Sequence, residues 1–333
     1  MVFATTRLPP PTRRGWRCKY NFTMAQKRIV IAGGSGFIGR VLTADFLARG
    51  FEVAVLTRSP RERAGGVREV AWDGRYPGEW AQWLNGAQAV FNLAGRNINC
   101  PHTAENLSAI VASRVGSVNA LAAAVAGAAT PPRTWVQASA TGFYGDTGDR
   151  VCDETAPVGS DALAQVCRQW EAAFQAARVP QTRKVALRIG FVLGRDGGAL
   201  PVLSRLVRLF LGGAAGSGGQ FISWVHIADL VRMFATAAGD EKLSGTFNAV
   251  APVAVTNAEF MRGLRRALRR PWSPPAPEFA VRLGARFMGG EPSLVLAGSR
   301  CLPARFLSGG FQFQFPTLPA ALEDLCQSNG PKS

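Results

Sequence analysis

The chain has 333 residues, 47% of them hydrophobic and 18% charged. That composition supports a large buried core and excludes a disulfide miniprotein or a disordered tail. The formal net charge of +16 is unevenly spread: residues 1–28 carry +7 with no acid, 262–286 carry +6, and only +3 remains elsewhere, so overall basicity gives no case for nucleic acid.

The first 23 residues are Arg-rich, acid-free and punctuated by proline, without the apolar centre of a secretory signal. Two readings stand: an organellar transit peptide, or an upstream extension with Met24 as the working start of a cytoplasmic protein. Both place 1–23 outside the fold.

From Lys27 the pattern is regular. Arg28 to Ala32 reads as a strand, Gly33 to Gly39 as a glycine-rich turn, Phe37 to Arg49 as a helix closed by Gly50, and Phe51 to Leu56 as a second strand. This is a β-α-β unit. Apolar runs at Val67 to Trp72, Ala89 to Leu93, Thr134 to Ala138 and Val185 to Val192 alternate with helical segments near 103–127 and 161–178. The alternation predicts an α/β fold, a doubly wound parallel Rossmann sheet with ligands at the carboxyl ends of its strands. Ala120 to Ala129 is too short an apolar run to cross a bilayer, so no membrane partner is expected.

Beyond Gly194 the rhythm changes. Gly197, Gly198, Gly212, Gly213, Gly216, Gly218 and Gly219 bracket one helical run, and Pro271, Pro274, Pro275 and Pro277 interrupt a later one. These segments predict a smaller C-terminal substrate lobe, residues 195–220 and 251–326, beside a Rossmann domain of residues 24–194 to which 221–250 returns.

The turn Gly33-Gly34-Ser35-Gly36-Phe37-Ile38-Gly39 satisfies both GxxGxxG and GxGxxG, directly after a strand and opening a helix. That context reads as a dinucleotide site: glycines allow close approach to a diphosphate, which accepts from the unpaired N–H groups of the helix start. An NAD site places an acid at the end of the second strand. Here Thr57-Arg58-Ser59 stands there, a guanidinium and two hydroxyls suited to a 2′-phosphate, with Arg40 nearby. NADP(H) is the predicted cofactor.

Six scattered cysteines without a CxxC pair, and only His102 and His226, give no metal site.

Gly33-xx-Gly36-xx-Gly39, Asn92-Leu93-Ala94-Gly95, Ser139-Ala140-Thr141-Gly142-Phe143-Tyr144-Gly145 and Trp224-Val225-His226-Ile227-Ala228-Asp229 together resemble the extended short-chain dehydrogenase/reductases. Leu187-Arg188-Ile189-Gly190-Phe191-Val192-Leu193-Gly194, Gly216-Ser217-Gly218-Gly219-Gln220, Leu302-Pro303-Ala304-Arg305 and Gly310-Phe311-Gln312-Phe313 are similar to their atypical, epimerase-like branch, often labelled sugar-nucleotide epimerase or cell-division-inhibitor-like. The resemblance spans about residues 27–325. It implies an NADP(H)-binding protein acting on a hydroxyl or carbonyl carbon of a small polar, nucleotide-linked or free substrate, as a monomer or homodimer, with Leu93, Ala94 and Gly95 lining the cofactor.

One departure matters. The family's Tyr and the Lys four residues later, which drive proton transfer, fall on Leu163 and Cys167 here. Ser139, Thr141 and Tyr144 are then the candidate catalytic groups facing the nicotinamide. The alternative is a noncatalytic NADP(H) sensor or scaffold.

His226 and Asp229 stand at a strand-to-helix junction, where Asp229 reads as the helix cap, with substrate contact as the alternative. Arg262, Arg265, Arg266, Arg269 and Arg270 recur at helical spacing, with Phe260, Met261 and Leu264 between them, predicting a basic outer face over an apolar inner one. A solvated face and a phosphate-recognising one are both consistent with that spacing. The face lacks an interleaved aromatic platform, so no nucleic acid is expected as a partner.

Overall fold

The computed structural model describes residues 28–62, 66–287 and 289–326; the expectations for residues 1–23 lie outside them. The first half of the chain runs β1 (Arg28–Ala32), α1 (Phe37–Ala48), β2 (Glu52–Thr57), β3 (Val67–Ala71), β4 (Ala89–Asn92), α2 (Ala104–Ala126), β5 (Thr134–Ala140), β6 (Val151–Cys152) and α3 (Ala162–Ala176). There follow β7 (Arg183–Ile189), β8 (Phe191–Leu193), α4 (Leu200–Arg208), β9 (Phe221–Ile222), β10 (Trp224–His226), α5 (Ile227–Gly239) and β11 (Gly245–Ala249). The remainder is β12 (Val255–Thr256), α6 (Asn257–Ala267), α7 (Glu278–Phe287), α8 (Ser293–Leu296), β13 (Arg300–Cys301), α9 (Ala304–Ser308) and α10 (Leu318–Cys326).

Seven strands form one parallel sheet in the order β11-β7-β5-β4-β1-β2-β3. Its central strands are apolar on both faces, because helices cover both: Ile29 to Ala32 and Ala89 to Phe91 are fully buried. Phe91 meets Phe46 of α1 at 5.3 Å and Phe234 of α5 at 5.4 Å between ring centroids. Trp135 is paired in register with Val90, so it points to the other face, where it meets Phe174 of α3 at 5.0 Å. The chain thus winds doubly, as its alternating pattern predicts.

α2 is the one helix among the described residues long and apolar enough to cross a bilayer. Here it flanks α3, capped by the Thr103 side chain, and buries Ile110, Val118, Leu121 and Val125.

The run read as one strand, Val185 to Val192, is two. β7 stops at Ile189 and β8 leaves the main sheet to pair with β10. The break is at Gly190, where a Cβ would collide with the Ser223 carbonyl, so only glycine admits that approach. β8 and β10 deliver the chain to a second core, in which Leu193, Trp224, Phe260, Leu264, Leu318 and Leu322 pack together.

Candidate functional site

The carboxyl ends of β2 and β4 flank the glycine turn that follows β1. Gly33 has φ +77°, and a Cβ there would lie 2.9 Å from the Ala94 nitrogen. A Cβ on Gly34 would meet Val55 at 2.8 Å, and one on Gly39 would meet the Gly34 Cα at 2.5 Å. These three glycines are required by the protein's own packing: turn to β4, turn to β2, and helix to turn.

Gly36 is different. It is exposed, has ordinary extended angles (φ −72°, ψ 175°), and a Cβ on it would meet nothing nearer than the Gly33 carbonyl at 3.4 Å. Nothing in the protein demands glycine there, and the space a side chain would take stands over the start of α1, whose N-terminus has no side-chain cap. Unpaired amides, a positive dipole end and a bare approach are what a diphosphate fits.

Ser35 accepts at its carbonyl from Arg40 Nη1 at 3.4 Å, which holds that guanidinium against the turn. Phe37 and Ile38 form the first turn of α1, and the Phe37 ring packs against the connection that follows β8. Cβ atoms on Gly194 or Gly197 would overlap the ring and one on Gly198 would come within 3.3 Å of it. The sequence marks these glycines, but the ring they accommodate lies about 160 residues earlier in the chain, beyond the reach of any local pattern.

At the end of β2, Thr57 is half-buried and Arg58 and Ser59 are exposed. Arg58 makes no hydrogen bond or ion pair among the described residues, so its guanidinium is available. On the other side of β1, Leu93 continues the sheet by donating to the Ala32 carbonyl at 2.9 Å. The Ala94 N–H is held by Asn92 Oδ1 at 3.1 Å, and Asn92 donates to Ser117 and Gln137 at 3.1 and 3.0 Å. Gly95 makes room for Arg114, whose guanidinium would stand 3.2 Å from a Cβ there. Burial pulls the Arg114 pKa down, opposed by Cys167; its Nη1 donates to the Arg96 carbonyl at 3.0 Å.

The three candidate catalytic hydroxyls separate. Ser139 is buried and donates to Glu171 Oε1 at 2.6 Å. Tyr144 is fully buried: its hydroxyl donates to Asn248 Oδ1 at 2.7 Å and accepts from Arg188 Nη1 at 2.8 Å. Burial raises the Tyr144 pKa despite the Arg188 charge. Both hydroxyls are bound to protein partners. Thr141 is the exception, half-buried and without a side-chain hydrogen bond among the described residues.

Leu163 and Cys167 stand beside Gly142, 3.9 and 3.8 Å from the position of its absent Cβ. Burial pushes the Cys167 thiol up to about 12, with Glu171 adding to the effect, so it is a neutral thiol rather than a base.

The organiser of this region is Arg188. Its guanidinium ties together Glu171, Tyr144 and the Glu154 carbonyl (2.8–3.4 Å) and lies 3.5 Å over the Phe143 ring. A lone charge inside the apolar run Val185 to Ile189 was the available signal.

His226, not Asp229, caps α5, its Nδ1 accepting from the Ala228 N–H at 3.1 Å. Asp229 is buried and accepts the N–H groups of Gln314 and Phe315, both at 2.8 Å, and Arg232 Nη1 at 2.9 Å. It anchors the C-terminal segment. Among the described residues no cluster of His, Cys, Asp or Glu could hold a metal ion.

Comparison with known proteins agrees with this geometry. Residues 29–249 match the NAD dependent epimerase/dehydratase family, and residues 276–325 match a domain of unknown function, DUF1731. The chain is 38% identical to the Epimerase family protein SDR39U1 of Bos taurus, over 90% of this chain and 99% of that one. It is 33% identical to a chloroplastic SDR39U1 homologue of Arabidopsis thaliana, over 96% and 92% of the two chains. The crystal structure of human SDR39U1, isoform 2, solved with NADPH, superposes with a TM-score of 0.79 at 36% identity, over 90% of this chain and 99% of that one.

Proposed function

Because the chain belongs to the NAD dependent epimerase/dehydratase family, we propose that it binds NADPH and acts on a hydroxyl or carbonyl carbon of a small polar substrate. The observation that carries the reading is Gly36, a glycine over an uncapped helix start with no partner in the protein to explain it. The amides of Phe37, Ile38 and Gly39 hold the diphosphate. Arg58, with Thr57, Ser59 and Arg40, takes the 2′-phosphate. Leu93, Ala94 and Gly95 form the wall beside it, stiffened by Asn92 and Arg114. A human relative solved with NADPH supports the choice of coenzyme.

When bound, NADPH supplies hydride. The protein's part is then to hold a substrate oxygen, and Thr141 is the group with a hydroxyl to offer: it opens the short turn Thr141–Tyr144 directly after β5, and its side chain is not engaged among the described residues. Ser139 and Tyr144 serve this site by fixing the turn through Glu171, Arg188 and Asn248.

A second reading is favoured by the same network. With Tyr144 and Ser139 bound internally and Leu163 and Cys167 at the family's proton-transfer positions, the protein would sense NADPH without turning it over.

One set of measurements tests both. Calorimetric titration is expected to give saturable NADPH binding about tenfold or more tighter than NADH; equal affinities, or no heat with either, would defeat the cofactor assignment. NADPH oxidation followed over a panel of carbonyl compounds then decides between the readings. Turnover that disappears in Thr141→Val with NADPH affinity kept supports catalysis, and tight binding without consumption across the panel supports the sensor.

A further inference from the structure

The arginine block of α6 does more than coat a helix. Phe260, Met261 and Leu264 face inward as their spacing predicts, but the helix ends at Ala267 and the chain folds back. The Arg269 N–H bonds the Arg266 carbonyl at 3.0 Å and the Arg270 N–H bonds the Arg265 carbonyl at 2.8 Å, with Arg269 at φ +56°. This closure normally places glycine at the left-handed position. Here an arginine is held there, and the fold-back carries Arg269 and Arg270 to the side of Arg262, Arg265 and Arg266.

The five guanidinium-bearing residues and Pro271 line a concavity of about 520 Å3. Among the described residues no carboxylate lies within ion-pair distance of any of them. Glu259, on the same helix, is bound into the capping box with Thr256. One or two arginines in a last turn complement the helix dipole; five, with only the Glu259 carboxylate feeling the charge of Arg262, exceed that need and repel one another.

Two of them are also fixed. Arg265 Nη1 donates to the Gly212 carbonyl at 2.8 Å, and Arg270 lies 5.2 Å over the Phe210 ring. The Nε atoms of Arg265 and Arg270 are enclosed and have no acceptor. Phe210, the ring under Arg270, is the other non-glycine residue described with positive φ, at 60°. Uncompensated charge and a backbone held at positive φ meet in one place, the pattern of a site completed from outside.

We propose that this concavity binds a soluble small molecule carrying two or three linked phosphates. Guanidinium groups present paired donors that match phosphate oxygens, and the volume is that of a small-molecule site. Its lining comes from six residues within the short span 262–271, which suits a compact polyanion better than an extended chain. None of Gly33 to Gly39 or Arg58 lines it, so the site is separate from the coenzyme cradle and does not rest on the function proposed above.

The test is calorimetric titration of the full chain with sodium tripolyphosphate at about physiological ionic strength, with and without saturating NADPH. With the cradle filled by NADPH, one saturable site per chain is expected, weakening as salt rises; without NADPH the diphosphate cradle adds a second. Arg262 and Arg266 are exposed on α6, so R262Q/R266Q and R262E/R266E keep the fold, verified by circular dichroism and the thermal midpoint. Each variant is expected to lose affinity, the charge reversal by about tenfold or more. Absence of saturable heat overturns the proposal, as does unchanged affinity in the charge-reversed protein. Phosphatidylserine vesicles or single-stranded RNA held more tightly than tripolyphosphate through these same arginines would overturn it in favour of a membrane or a nucleic acid.

Discussion

Arg188 grips both oxygens of Glu171, Nε to Oε1 at 2.9 Å and Nη2 to Oε2 at 2.8 Å, with both side chains less than a tenth exposed. The pair joins β7 to α3, and through Ser139 and Tyr144 it also fixes the end of β5 and the turn beyond it. Removing one partner leaves the other charge buried and alone. Arg188→Leu is expected to cost about 3–5 kcal/mol, read as a fall in the urea midpoint. In the double variant with Glu171→Leu part of that loss returns, because no lone charge remains; strictly additive losses would show that the two residues are not coupled.

The glycine turn allows stability and binding to be separated. Gly39→Ala sets a methyl group against the Gly34 backbone and is expected to lower the thermal midpoint markedly, by the overpacking cost of about 1–3 kcal/mol. Gly36→Ala meets no such obstacle. Its midpoint should change little while NADPH affinity falls about tenfold or more, since one methyl stands where the diphosphate approaches. Equal NADPH binding by Gly36→Ala and the parent would place the diphosphate elsewhere.

Arg58 is exposed and unengaged among the described residues, so reversing its charge should leave folding alone. Arg58→Asp is expected to weaken NADPH by about tenfold or more and NADH much less. Loss of both coenzymes in equal measure would mean that the side chain does not discriminate at the 2′ position.

His226 makes stability depend on pH. Its Nδ1 accepts from Ala228, which places the proton on Nε2, 3.4 Å from Asp324 Oδ2, and the ring stacks on Phe315 at 3.8 Å. Burial lowers its pKa, against the opposing pull of Asp324 and Asp229. The neutral ring therefore belongs to the folded state, and the unfolded chain takes up the proton first. This contribution is complete above the unfolded value of about 6.5 and is lost as pH falls through the lower folded value. His226→Asn keeps a capping acceptor without titrating. Scanning calorimetry between pH 7.5 and pH 5, values spanning about 6.5, should find a shallower decline in the variant; an unchanged slope would assign the titration to other groups.

Much of this architecture can be read directly from the chain. The β1 turn α1 unit is specified by local signals, an apolar run, glycines at fixed intervals and a closing Gly50, and those signals act within about one helix length. The basic face of α6 is legible for the same reason. What escapes is set by contacts distant in sequence. The polarity of Ser139 and Tyr144 suggests reactive groups, but whether a hydroxyl faces a cleft or an internal partner depends on Glu171, Arg188 and Asn248, 32 to 104 positions away. The break at Gly190 is invisible without Ser223 beside it, and the role of Asp229 waits on Gln314 and Phe315.

The ring of Phe37, seated among Gly194, Gly197 and Gly198, has a mechanical implication. The residue that opens α1 is also the bearing on which the strand-to-lobe connection rests, two residues before α4 begins. Any swing of the lobe that lifts this connection must unseat the ring, and so tug on the first turn of α1. The start of the coenzyme helix and the β8-to-α4 connection are thus held together by one aromatic side chain.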